Sequence, residues 1–162
     1  MSRINYVTGD ATQPVSTPAI IAHICNNRGG WGAGFTGALS KRWPRAEEYY
    51  RHCWGEKLEH SLGHVQIVRI SPDIIVANMI AQDGYSRPGK PAIRYSALEN
   101  CLDKVRGCAL YIRYIQWSVH MPRIGTGLAG GDWAVIEPMI VRELCEKGVE
   151  VTVYDLPVTK GN

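Results

Sequence analysis

Six runs of strand length, most of them almost wholly apolar, recur along the chain: Ile4 to Thr8, Ala19 to Cys25, Val65 to Ile70, Ile74 to Ile80, Gln116 to Pro122 and Val149 to Tyr154. A strand that is apolar at successive positions, and not at alternate ones, is suited to burial on both faces. Helix-period segments lie between several of these runs. Tyr95, Leu98, Leu102, Val105 and Ala109 share one helical face, and so do Trp133, Ile136, Ile140 and Leu144. Phe35, Leu39 and Trp43, then Tyr50, Trp54 and Leu58, mark two shorter helices. Pro44 separates those two because it cannot continue the first. Strands alternating with helices predict an α/β fold with a sheet covered on both faces. In such folds ligands bind at the carboxyl ends of the strands, so chemistry is expected in the segments just after them.

The chain has 162 residues, enough for one domain spanning residues 1–162 with a sizeable core. Hydrophobic residues make up 45% and charged residues 20%, the balance of a folded protein. The net charge of +3 suits an anionic ligand and is too small to argue for nucleic-acid wrapping. Arg42, Arg45, Arg51 and Lys57 are read as solvated helix positions and not as a nucleic-acid face. The five cysteines (Cys25, Cys53, Cys101, Cys108 and Cys145) are odd in number and form no C-x-x-C pair. A disulfide framework and a zinc knuckle are therefore not expected, and a reducing, cytoplasmic setting is. No apolar stretch approaches the length of a membrane helix, so no membrane partner is expected.

Two glycine-rich loops follow strands and open into helices. The first runs Asn26-Asn27-Arg28-Gly29-Gly30-Trp31-Gly32-Ala33-Gly34. Its glycines let backbone approach a ligand closely, and the helix behind it presents free N–H groups to phosphate. The second runs from Arg123 to Asp132 through Gly125, Gly127, Gly130 and Gly131, with Asp132 placed to cap the helix that Trp133 opens. Together they can cradle a diphosphate. Neither is a Walker A loop, and neither matches the Rossmann fingerprint with its ribose carboxylate.

Tyr6-Val7-Thr8-Gly9-Asp10-Ala11, Ile21 to Asn26 with Trp31-Gly32-Ala33-Gly34, Met121 to Leu128, and Val151 to Leu156 resemble, in this order, the conserved segments of macrodomains. His23-x-Cys25-Asn26 followed by Trp31-Gly32-x-Gly34, continued by Leu39, Trp43-Pro44 and Ala46-Glu47, is most similar to the ADP-ribose 1″-phosphate phosphatase branch. The resemblance implies a three-layer α/β/α fold with a mixed, mostly parallel central sheet. It also implies ADP-ribose or its 1″-phosphate as ligand. No His/Asp cluster has metal-ligand spacing, so no metal is expected, and neither is a cofactor; the protein is expected to be a monomer. A neighbouring branch removes ADP-ribose from proteins or nucleic acid. Its catalytic lysine aligns with Gln82 and its catalytic aspartate with Ala129, and both departures count against that chemistry.

The resemblance also implies roles for single residues. Gly9, Asp10 and Ala11 would meet the adenine, Asp10 accepting from its amine; the alternative for Asp10 is a turn aspartate. Asn26, or Asn27 in its place, would hold the distal ribose. Ile24, Cys25, Trp31, Gly32, Ala33, Gly34, Phe35 and Thr36 would line the first loop. Arg123, Ile124, Gly125, Thr126, Gly127, Leu128, Ala129 and Gly130 would line the second. Tyr154 or Leu156 would pack on the adenine, or simply on the core. Asp83 and Lys90 flank a Gly/Pro-rich loop, Gly84 to Pro91, that can border the site. His23 and Asp132 are the catalytic candidates. His23 would orient water or donate a proton, and Asp132 would act as general base. Their structural alternatives are a buried, satisfied histidine and a helix cap. Three functions remain open on these residues: a 1″-phosphate phosphatase, an ADP-ribosyl hydrolase, and a non-catalytic ADP-ribose reader.

Overall fold

All six apolar runs become strands. A computed structural model describes residues 3–53 and 59–158; Trp54, Lys57 and Leu58, on which parts of the sequence pattern rest, lie outside them. The elements are β1 (Asn5–Thr8), β2 (Ala19–Asn26), α1 (Phe35–Arg42), α2 (Pro44–His52), β3 (Val65–Ser71), β4 (Ile74–Gln82), α3 (Tyr95–Tyr111), β5 (Ser118–Pro122), α4 (Trp133–Glu143) and β6 (Val151–Asp155). The strand order is β1-β6-β5-β2-β4-β3. Every neighbouring pair is parallel except β3 with β4, so the sheet is mixed and mostly parallel.

Alternation along β2 builds the layers. Ile20 and Ala22 join the core under α3 and α4, with Leu98, Leu102, Ile136 and Ile140. Ile21, one residue on, joins Leu39 of α1 and Ala46 of α2 on the opposite face. Register keeps the faces consistent: Ile20 lies beside Ile75 and Ile21 beside Val76. Two local readings shift. α2 begins at Pro44, at the first helical position, where a missing N–H costs nothing. β1 is short and largely exposed because it forms an edge of the sheet, and buried Ile4 precedes it.

The decisive feature lies between β2 and β5. These neighbours run parallel, yet β2 leads to α1 on one face and β5 leads to α4 on the other. Where adjacent strands send their chains apart, a crevice opens at the carboxyl ends.

A buried polar chain ties the segment after β1 to the sheet. The Val15 N–H donates to the Tyr154 hydroxyl at 2.9 Å. That hydroxyl lies 2.7 Å from His120 Nδ1, and His120 Nε2 lies 2.7 Å from Ser118 Oγ. Ser118 Oγ in turn donates to the Pro18 carbonyl. Since the serine proton is used there, Nε2 carries the imidazole proton and Nδ1 accepts from tyrosine. Replacing Tyr154 with Phe strands the Val15 N–H and the imidazole nitrogen, at a cost of about 1–3 kcal/mol. The expected outcome is a melting midpoint lower by roughly 3–10 °C, measured by calorimetry or circular dichroism.

Candidate functional site

Both glycine-rich loops converge on the crevice and enclose a cavity of about 690 Å³. Residues 24–26, 31, 33–36 and 123–129 line it, together with His23. On one side stands the first turn of α1. Gly34 is its N-cap, at φ 62, and no side chain caps the helix. Its first N–H groups therefore lack an intrahelical or capping partner, and they carry the positive end of the helix dipole. On the other side Gly125 holds φ 76. A Cβ there would come within 2.5 Å of Ile93 Cδ1 and 2.9 Å of Ile136 Cδ1. Only glycine permits both this backbone and this approach to the core.

Asn26 ends β2 with its amide orientation fixed. Its Oδ1 accepts from the N–H groups of Arg28 (2.9 Å) and Gly30 (3.0 Å). The Tyr50 hydroxyl, 3.0 Å from Oδ1, gives its one proton to the Asn26 backbone carbonyl at 2.6 Å. An atom accepting from two backbone N–H groups cannot be the nitrogen, so the NH2 is left for the cavity. That NH2 and the Tyr85 hydroxyl both crowd the space where a Cβ on Gly30 would lie. Asn27 does different work: its side chain bonds Asp83 and the Gly84 N–H, holding the next loop, and it does not line the cavity.

His23 lines the cavity floor but is only 1% exposed. Its Nε2 lies 2.5 Å from Asn78 Oδ1. The Asn78 NH2 donates to the Ala46 carbonyl and to Gln66 Oε1, which makes Oδ1 an acceptor and places the imidazole proton on Nε2. Burial lowers the His23 pKa to about 4, so the ring is neutral near pH 7 and cannot serve as a ready proton donor. Trp31 meets it edge-on and Phe35 at a tilt, fixing the ring in the wall. Cys25 Sγ lies 3.7 Å from Nε2, but burial pushes its pKa up, so it stays a thiol and not a nucleophile.

No family model matches the sequence. A solved macrodomain protein from Streptomyces coelicolor is 44% identical, over 94% of this chain and 99% of that one, with a TM-score of 0.82. The chain belongs to the macrodomain family. The chromodomain-helicase-DNA-binding protein 1-like of Mus musculus is 32% identical over 97% of this chain. The chain spans only 18% of that relative's length. A Saccharomyces cerevisiae protein named ADP-ribose 1″-phosphate phosphatase is 27% identical, over 96% of this chain and all of its own length.

Other residues of the macrodomain stand apart from the cavity lining. Gly9, Asp10, Ala11 and Leu156 follow β1 and β6, two strands further along the same carboxyl edge. The Gly9 N–H donates to the Asp155 carbonyl, which sets the two strand exits side by side. Asp10 Oδ1 accepts from the N–H and hydroxyl of Thr12, the turn arrangement, while Oδ2 makes no such bond. Tyr154 is buried in the polar chain and its ring lies beneath Gly9, whereas Leu156 is exposed. Gly32 and Gly130 sit in the loops without lining the cavity. Asp132 is exposed, its Oδ1 accepts from the Ala134 N–H at 2.9 Å, and it lies outside the lining. It caps α4.

Arg123, at the rim, forms a two-point pair with Asp155 at 2.6 and 3.0 Å and lies over the Tyr6 and Trp133 rings. That guanidinium holds the Asp155 carboxyl below the ordinary carboxylate range. Gly30, Gln82, Tyr85, Ser86 and Pro122 also line the cavity and carried no ligand role in the sequence reading. The Gly/Pro composition of the loop from Gly84 pointed to Tyr85 and Ser86, but no spacing singled them out. Among the described residues, no three His, Cys, Asp or Glu side chains gather as a metal site requires, and no helix is long and apolar enough to cross a membrane.

His23 and His120 give the fold an acid sensitivity with a defined sign. Burial holds both at a pKa of about 4, against 6.5 for an ordinary imidazole. Between those values the unfolded chain binds protons that the native one refuses, so stability is full above pH 6.5 and is lost as pH falls toward 4. Each histidine contributes up to roughly 1.4 kcal/mol per pH unit across that window. Urea midpoints at pH 7.5, 6 and 5 should fall in that order; a flat profile would mean that neither imidazole is neutral and buried.

Proposed function

We propose that this macrodomain binds ADP-ribose along the carboxyl edge of its sheet and hydrolyses ADP-ribose 1″-phosphate to ADP-ribose and phosphate. The observation that carries the reading is Asn26. Its amide is locked so that a donor NH2 enters a cavity walled by two glycine-rich loops and an uncapped helix. A diphosphate would meet the N–H groups of the α1 entry and of the Gly125–Ala129 segment. The distal ribose hydroxyls would meet Asn26. The adenine would lie toward β1 and β6, where Oδ2 of Asp10 is open to its amine. The strand ends from β1 to β4 extend over roughly 20 Å at ~4.8 Å per strand, room for an elongated ligand.

In the hydrolysis, water attacks phosphorus, the bond between phosphorus and the 1″ oxygen breaks, and the proton that the water loses passes by way of a phosphoryl oxygen to the leaving 1″ oxygen. The neutral His23 does not suit the role of acid, because its Nε2 proton is held by Asn78; its Nδ1 keeps a lone pair that can orient water, beside the Cys25 thiol at 3.9 Å. The developing charge would rest on backbone N–H groups. Gln82 and Ala129 stand where an ADP-ribosyl hydrolase of the neighbouring branch would carry lysine and aspartate, and the yeast relative's name supports the phosphatase. A second reading, a non-catalytic reader of ADP-ribose, is favoured by one specific observation: among the described residues, no carboxylate and no lysine lines the cavity.

Calorimetry with ADP-ribose tests the common part. The replacement Asn26→Asp keeps the two bonds accepted from backbone N–H groups and exchanges the donor for an anionic oxygen, so affinity should fall at least about tenfold while the melting midpoint is held. No heat of binding up to millimolar ligand would end the ADP-ribose reading. Phosphate release from ADP-ribose 1″-phosphate separates the other two: turnover supports the phosphatase, and tight binding without turnover supports the reader.

A further inference from the structure

Asp10 ends a chain of donors that starts on α1. Its backbone carbonyl accepts from the Gln13 N–H at 2.9 Å, and its Oδ1 accepts from the Thr12 N–H at 2.8 Å and the Thr12 hydroxyl at 2.7 Å. Thr12 is only 1% exposed. Its Oγ1 lies 3.1 Å from Arg42 Nε, so Arg42, read from the sequence as a solvated helix position, is engaged. A guanidinium nitrogen can only donate. Oγ1 therefore accepts there, and its one hydroxyl proton must go to Asp10. The order of the chain is fixed as cation, hydroxyl, carboxylate, and each bond is charge-assisted and polarises the next. The Thr12 carbonyl is held as well, by the Trp43 indole N–H at 2.8 Å. Both anchors follow from Pro44. It stops α1 after Arg42 and keeps Trp43 out of the helical region, at φ −128 and ψ 72, from where the indole reaches the segment after β1.

We propose that Arg42 and Thr12 are positioning residues for a purine base, and that they make the site select a 6-amino purine over a 6-oxo purine. The inference rests on the reading that the Asp10 turn receives the base of the ligand. With Oδ1 filled by two donors from Thr12, Oδ2 is the oxygen left to meet a ligand, and a carboxylate oxygen can only accept. An exocyclic amine satisfies it. An oxo group on the same carbon sets lone pair against carboxylate and leaves both without a donor. Without Arg42 the Thr12 hydroxyl has no partner that fixes its proton on Asp10, and the carboxylate is free to turn toward water. The same helix serves the other end of the ligand. Its uncapped first turn faces the cavity between the glycine-rich loops, and Arg42 stands at its far end, eight residues or about 12 Å along. One helix thus sets the spacing between the bare N–H groups and the base-reading carboxylate.

The test is calorimetry of the full chain with ADP-ribose and with inosine diphosphate ribose, its hypoxanthine counterpart. The parent should prefer ADP-ribose at least about tenfold. In Arg42→Ala that preference should fall to about threefold or less, with the loss confined to ADP-ribose. Thr12→Val should do the same, and Thr12→Ser should restore the preference because serine keeps the hydroxyl. In an Asp10→Ala background, where the preference is gone, Arg42→Ala should remove nothing further, the non-additivity expected of residues that act through one carboxylate. An Arg42→Ala variant that retains the full preference overturns the proposal. So does one that loses affinity for both ligands alike, the result of a merely structural role, and so does a parent that binds the two ligands equally. A parent that binds neither ends the ADP-ribose reading itself, and the positioning role falls with it.

Discussion

Two neighbouring parallel strands that send their chains to opposite faces of one sheet leave a gap that the core cannot fill. In this macrodomain the strands are β2 and β5, and nearly every functional feature follows from their parting. Because α1 must turn to one face, its first turn is left at the mouth of the gap with bare N–H groups. Because α4 must turn to the other, the segment from Arg123 has to double back over the isoleucines, which Gly125 alone permits. The cavity between the two glycine-rich loops is thus a by-product of covering a sheet on both sides.

Polar groups inside the layers make that gap rigid. His23, Asn78, Gln66 and the Ala46 carbonyl form one chain under the first loop. Val15, Tyr154, His120, Ser118 and the Pro18 carbonyl form another under the β1 end. Each runs from a segment outside the sheet into strand positions that would otherwise be apolar. Both leave their imidazole neutral and with one defined tautomer. Such chains orient backbone that hydrophobic packing, which is non-directional, would leave free to shift.

The fold was legible in the sequence because burial on both faces writes itself as uninterrupted apolar runs, and all six runs are strands. The antiparallel pairing of β3 with β4 is written in the spacing: Ser71-Pro72-Asp73 alone separate the two apolar runs, too few residues for the crossover that a parallel pair requires. The loops were equally legible: glycine after a strand and before a helix has few other uses. Side-chain roles were less so. Asn26 and Asn27 are adjacent and chemically identical, and only the hydrogen bonds around them tell which lines the cavity. Asp132 reads the same as a base or as a cap until its Oδ1 is seen on the Ala134 N–H. Tyr85 belongs to no motif, and its place in the cavity wall depends on how two loops lie across the strand ends.

Gly30 has a consequence for how this site can change. A side chain at Gly30 would collide with both the Asn26 amide and the Tyr85 hydroxyl, so these three residues, from the β2 loop and the β4 loop, constrain one another. Replacements at these positions will not combine additively, because each alters what the other two can reach. A lineage exploring new ligands at this corner of the cavity would have to move through this trio together.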